Sequence, residues 1–151
     1  MRKLIIGIGL FFGILFFAAM AGLIVGQFLP EEHEVSLSAE FGISPDSLWS
    51  ILTNYESYPD WRIDLHRVDL LSDEDGLKHW QEFDQSKMDL TYTEVIVDRP
   101  TLLIIKIVEH DIPFGGTWKM EFSSVAAGCM LKITEKGTIE SGFFRFIATY
   151  I

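Results

Sequence analysis

Ser44-Pro45-Asp46-Ser47-Leu48-Trp49-Ser50-Ile51-Leu52-Thr53-Asn54-Tyr55-Glu56-Ser57-Tyr58-Pro59-Asp60-Trp61 is the stretch on which the fold turns. Ser44 supplies a capping hydroxyl and Pro45 the fixed φ of a first helical turn, so a helix is predicted to open here. Its apolar face is Leu48, Trp49, Ile51 and Leu52. Asn54 and Pro59 end it, with room for one further short turn over Tyr55–Trp61.

On the N-terminal side of this stretch, Val35, Leu37, Ala39 and Phe41 alternate with Ser36, Ser38 and Glu40, the pattern of a half-buried strand. On the C-terminal side the chain reads as β. Strands are predicted at Ile63–Leu71, Lys78–Gln85, Met88–Val97, Leu102–His110, Thr117–Ser124 and Met130–Lys136. Asp73-Glu74-Asp75-Gly76, Asp98-Arg99-Pro100, Pro113-Phe114-Gly115-Gly116 and Ala127-Gly128 punctuate them. Strands joined by short turns imply an antiparallel meander, and Phe143–Ile151 reads as a helix beginning. The order strand, helices, strands, helix is α+β.

Arg2 and Lys3 precede an uncharged apolar run from Leu4 to Gly26, 23 residues long. At helical rise this is about 35 Å, enough for a tilted span of a ~30 Å hydrocarbon core. The expected organisation is an anchor at residues 1–30 and one domain at 31–151. Ala19-Met20-Ala21 has the form of a signal-peptide cleavage site. However, Leu23, Ile24 and Val25 would then be left on the new terminus, which favours a retained single-pass span. After Lys3 the next basic residue is Arg62, so the expected topology is N-terminus cytoplasmic, domain extracytoplasmic. Gly9-x-x-x-Gly13 and Gly22-x-x-x-Gly26 are spacings that let two spans pack closely.

Residues 31–151 carry 10 basic and 22 acidic side chains. That balance argues against nucleic acid and against anionic lipid headgroups as partners. Cys129 is the only cysteine, so neither an intrachain disulfide nor a cysteine-based zinc site is expected. A buried thiol fits its strand position. No catalytic motif and no cofactor-binding motif is present, and no metal is expected.

Ser44-Pro45 with Leu48-Trp49 and Leu52, then Tyr58-Pro59 and Trp61, Gly115-Gly116-x-Trp118, Glu135-Lys136-Gly137-x-Ile139, and Phe144-Arg145-Phe146 occur in this order. Together they resemble the START-like (SRPBCC) superfamily, in its polyketide cyclase/dehydrase and lipid-transport branch, over nearly all of residues 33–151. The resemblance implies a helix-grip fold: a curved antiparallel sheet, a C-terminal helix, and a cavity between them. The resembling family carries a longer C-terminal helix than the segment Phe143–Ile151 here.

With that fold, the many large rings acquire a role. Positions two apart share a strand face. Trp118, Met120 and Phe122 then point one way, as do Leu90, Tyr92 and Ile96. Trp80, Leu90, Tyr92, Ile104, Trp118, Met120, Phe122 and Phe144 are the candidate walls of an apolar ligand pocket. An ordinary packed core is the competing account of each. Asp64, His66, His79, Glu82, Glu94 and Glu109 are scattered candidates for acid–base work. The first reading is a membrane-anchored module binding a hydrophobic small molecule (lipid, quinone or polyketide-like); the runner-up is a cyclase or dehydrase-type enzyme acting on a polyketide-like substrate, and the third a non-catalytic partner-binding domain.

Overall fold

The computed structural model of the protein describes residues 13, 16–17, 20–73, 75–85, 89–108 and 112–150. Among these residues, β1 (Glu32–Phe41) leads into α1 (Pro45–Leu52), a 3₁₀ turn at Tyr55–Ser57 and α2 (Tyr58–Trp61). Then follow β2 (Leu65–Leu70), β3 (His79–Asp84), β4 (Asp89–Asp98), β5 (Leu102–Ile107), β6 (Phe114–Val125), β7 (Gly128–Ile139) and α3 (Gly142–Tyr150). The seven strands form one sheet in the order β1-β7-β6-β5-β4-β3-β2. The β2-to-β6 pairs are antiparallel neighbours in sequence, which is the predicted meander. The antiparallel sheet and C-terminal helix are the elements of the helix-grip fold.

The cap predicted at Ser44 is made. Its Oγ accepts the Ser47 N–H at 3.2 Å, and Pro45 opens the helix. The cap backbone N–H of Thr53 closes α1 on the Trp49 carbonyl at 2.9 Å. Ser44→Ala is expected to destabilise the chain by about 1 kcal/mol. A urea melt would read this, and an unchanged midpoint would mean that the cap is replaced by solvent at no cost.

Two compact units are resolved. One is His33–Gly137; the other combines the chain to Glu32 with the segment from Thr138 onward. In the larger unit, Trp80, Leu103 and Cys129 are fully buried, with Tyr55 nearly so. Leu48 and Trp49 of α1 join this core, Trp49 meeting Phe122 at 5.2 Å between ring centroids. The buried thiol expected at Cys129 is observed. Gly128 has φ +140°, and a Cβ there would collide with the Phe41 carbonyl oxygen, so the β6–β7 turn requires glycine.

β1 departs from expectation. All ten of its residues are exposed, Leu37 by 73%. Its alternation does define two faces, but β1 is the end strand of the sheet and, among the described residues, both of its faces are exposed. Gly115 and Gly116, read as punctuation, lie inside β6, and β7 runs beyond the predicted Met130–Lys136 at both ends.

In the smaller unit, Gly22 faces the Phe146 ring and Gly26 lies directly on the Gly142 backbone. The Gly22-x-x-x-Gly26 spacing, of a kind that lets two spans pack closely, receives α3 of its own chain. Arg145 is only 4% exposed. Its Nε donates to the Gly26 carbonyl at 2.9 Å. Its Nη1 donates to Glu31 Oε1 at 2.9 Å and to the carbonyls of Ile139 and Glu140. Among the described residues no helix is long and apolar enough to cross a membrane. Most of the run Leu4–Gly26, on which the expected span rests, lies outside them.

Candidate ligand cavity

The cavity is organised by strand register. Trp80 and Glu82 share one face of β3, and Trp80 pairs with Tyr92 on β4. Two residues on, Glu94 pairs with Ile105 on β5, and Ile105 with Trp118 on β6. Leu103 pairs with Met120, continuing the same face. Tyr92, Ile105, Trp118 and Met120 form the sheet wall of a cavity of about 300 Å³. Leu52, Tyr58, Trp61 and Arg62 line it from α1, α2 and the residue after α2, and Glu82 completes the lining.

The aromatic groups form a connected series. Tyr55 stacks on Trp80 at 3.7 Å with planes 7° apart, and Trp80 on Tyr92 at 5.5 Å and 12°. Tyr92 meets Trp118 at 5.9 Å, tilted by 54°. Tyr58 and Trp61 meet edge to face at 5.1 Å. The tilted and edge-to-face pairs suit the ring quadrupole, whereas Tyr55 and Trp80 lie face to face.

Two buried carboxylates anchor the polar side. Glu82, 5% exposed, accepts Trp80 Nε1 at 3.0 Å on one oxygen and Arg62 Nη1 at 2.9 Å on the other. Arg62 Nη2 donates to Asp64 at 2.8 Å, and the guanidinium lies 5.4 Å from the Tyr58 ring centre. Glu94, also 5% exposed, accepts from Tyr55 Oη at 2.8 Å and from the Lys78 backbone N–H at 3.0 Å. Each buried acid is therefore paired, as burial demands.

Burial works against the Arg62 charge, but the Asp64 and Glu82 carboxylates outweigh it and hold its pKa above the usual value. The hydrogen bond from Arg62 lowers the pKa of Asp64. Burial raises Tyr55, Tyr58 and Tyr92, helped by the charge of Glu94 at Tyr55 and of Glu82 at the other two.

Of the residues singled out from the sequence, Tyr92, Trp118 and Met120 lie on the cavity. Trp80 is fully buried, stacked between Tyr55 and Tyr92, and holds Glu82 rather than bordering the space. Phe122 packs on Trp49 in the core. Leu90 is half-buried opposite Glu82 and is not part of the lining. Ile104 alternates with the lining residue Ile105 and shares its rung with Lys119 on the other face. A bulge between Glu94 and Ile96 resets the alternation of β4, so Ile96 pairs with Ile104 and leaves the Tyr92 face. Phe144 belongs to α3, in the smaller unit.

Leu52, Tyr58, Trp61, Arg62, Glu82 and Ile105 complete the lining. Tyr58 and Trp61 had a legible signal: three residues apart, they fall on one side of a helical turn. Glu82 appeared in the sequence only as one of several scattered acids. His79 lies beside Thr93 at 3.4 Å, one position off the Trp80 face, and His66 is exposed. Glu109 and His110 lie outside the described residues. Among those described, no cluster of His, Cys, Asp or Glu fit to hold a metal occurs.

The family model described as "Polyketide cyclase / dehydrase and lipid transport" matches residues 32–150. No curated protein sequence matches the chain. Among solved structures, the di-domain aromatase/cyclase StfQ of the steffimycin biosynthetic pathway is similar, with TM-score 0.63 and 12% identity. The match covers 72% of this chain and 38% of that one, so this chain spans little more than a third of StfQ. Zhui aromatase/cyclase from a Streptomyces species matches with TM-score 0.60 and 15% identity over 72% of this chain and 68% of that one. Norcoclaurine synthase from Thalictrum flavum matches with TM-score 0.63 and 13% identity over 80% and 77%. At these identities the likeness is one of fold.

Proposed function

The chain belongs to the polyketide cyclase / dehydrase and lipid transport family, and from that premise we propose that it binds a hydrophobic small molecule in the cavity walled by Tyr92, Trp118 and Met120. The observation that carries this reading is the cavity itself, apolar and aromatic on the sheet side, with its one buried acid already paired. Apolar burial drives binding, at about 25 cal/mol per Å² before the costs of association. The known relatives named as aromatase/cyclases favour a second reading, a cyclase-type enzyme. Glu82, Tyr58 and Tyr92 would then be its acid–base groups, with Arg62 as a fixed hydrogen-bond donor, since all four border the cavity.

Trp118→Ala is expected to weaken binding of a lipophilic fluorescent probe by about 1–3 kcal/mol while the fold survives. Titration alongside a melt tests this. A variant that unfolds, in a protein whose parent binds the probe no better than an unrelated acidic protein, would remove the binding reading. Turnover of a poly-β-ketone by the parent, lost in Glu82→Gln, would instead establish the enzyme.

The reading includes a retained N-terminal anchor with the domain extracytoplasmic, supported by the uncharged run Leu4–Gly26 behind Arg2 and Lys3. A C-terminal reporter active only outside the cytoplasm should be active. A mature protein beginning near Gly22 would refute the anchor.

A further inference from the structure

The smaller unit is built inside out. In the helical residues 20–27 the buried positions are Gly22 and Gly26, whereas Ile24 is 57% exposed and Phe28, just beyond them, 85%. α3 follows the same rule. Its buried residues are Gly142 and Arg145, and Phe143, Phe144 and Tyr150 are exposed. The most polar side chain of α3 therefore faces in and its large rings face out, the reverse of a helix folded against water. An exposed apolar surface of this kind marks contact with another apolar phase.

Hydrogen bonding identifies that phase. Hydrocarbon offers no donor or acceptor, so a segment lying in it must satisfy its polar groups internally. α3 does so. Arg145, its one charged residue, donates to the Gly26 carbonyl, to Glu31 and to the carbonyls of Ile139 and Glu140. Thr149 Oγ1 donates to the Arg145 carbonyl at 2.8 Å. Direction agrees with this. Gly142 lies on Gly26 and Phe146 on Gly22, so α3 is antiparallel to its partner and runs back along the apolar run Leu4–Gly26. Its nine residues rise about 13 Å, so α3 enters a ~30 Å hydrocarbon core without crossing it.

We propose that α3 is a second membrane segment: it is embedded in lipid beside the N-terminal helix, with Phe143 and Phe144 among the acyl chains and Arg145 sealed against the Gly26 end of that helix. The proposal rests on the retained anchor of the reading above and adds the C-terminal helix to it. The unit's described charges are Glu31, Glu32, Glu140 and the paired Arg145, an acidic balance that suits electrically neutral lipid.

The test uses the full chain in phosphatidylcholine vesicles. An environment-sensitive fluorophore is attached to one introduced cysteine at a time, in Ile24→Cys, Phe143→Cys and Phe144→Cys. Cys129 is fully buried, and labelling of the parent chain corrects for it. Two quenchers are compared: aqueous iodide, and a phosphatidylcholine bearing a nitroxide on its acyl chain. The Phe143→Cys and Phe144→Cys labels should lose most of their fluorescence to the nitroxide lipid and little to iodide. Loss to iodide at both, with lipid quenching kept in Ile24→Cys, would overturn the proposal and leave the anchor standing. Shielding of both from either quencher would mean that protein covers α3, and would overturn the proposal as well. Iodide quenching in all three variants would remove the anchor with it.

Discussion

Trp80→Ala is expected to destabilise the protein by about 3–5 kcal/mol, the cost of deleting a large buried ring. The indole is fully buried between Tyr55 and Tyr92. Its Nε1 also satisfies one oxygen of the buried Glu82. Truncation therefore opens a void and leaves a carboxylate oxygen without its donor, two costs on one residue. Against a total stability of about 5–15 kcal/mol, the loss is large. Trp80→Phe keeps a ring in the stack but not the donor, and should cost less, about 1–3 kcal/mol. Urea melts of both variants separate packing from hydrogen bonding. A Trp80→Ala variant within about 1 kcal/mol of the parent would mean that the stack does not hold the site.

The protein is also expected to lose stability steeply as pH rises above 10. Burial holds the phenols of Tyr55, Tyr58 and Tyr92 above their ordinary value of 10.0. The sign follows from proton counting. Above pH 10 the unfolded chain loses these protons while the folded chain keeps them, so stability present below pH 10 is lost as pH rises. Each such tyrosine contributes a slope of about 1.4 kcal/mol per pH unit, so three give about 4 kcal/mol per unit. Circular dichroism between pH 8 and about 12 would follow the loss. Tyr92→Phe should make the decline shallower by about a third. If ultraviolet titration shows every tyrosine ionising near pH 10 in a protein that stays folded, the three phenols are not buried as described.

The sequence carried the local rules well. Ser44-Pro45 announced a helix start because a hydroxyl and a proline each fit one helical position, and α1 begins there. Gly, Asp and Pro clusters announced turns, and the meander followed from them. What escaped was settled by partners distant in sequence. Ile104 and Ile105 are both β-branched and adjacent, and only pairing with Trp118 places Ile105 on the cavity. The β4 bulge has no glycine or proline to mark it, so Ile96 kept its apparent phase with Tyr92 in the sequence although the structure separates them. Glu82 read as one acid among 22 acidic residues. Its significance comes from Arg62, twenty positions earlier, and from an indole two residues before it.

The hold of Arg145 on Gly26 has a consequence for how the chain is made. The two residues are 119 positions apart, so the hydrogen bond cannot form until Arg145 has left the ribosome. At roughly 5–20 residues per second, that is a delay of about 6–24 s after Gly26 is synthesised. During this interval Gly22 and Gly26 have neither Phe146 nor Gly142 to lie against. The N-terminal segment is therefore open to other binding machinery until the segment carrying Arg145 emerges, and its arrival closes that opportunity. Crosslinking of stalled nascent chains from a position near Gly26 would record this directly. Contacts to cellular factors should persist in stalled chains that hold Arg145 inside the ribosome and fall away when a C-terminal linker extension brings Arg145 out, whereas an equal pattern in both would show that Arg145 does not close the segment.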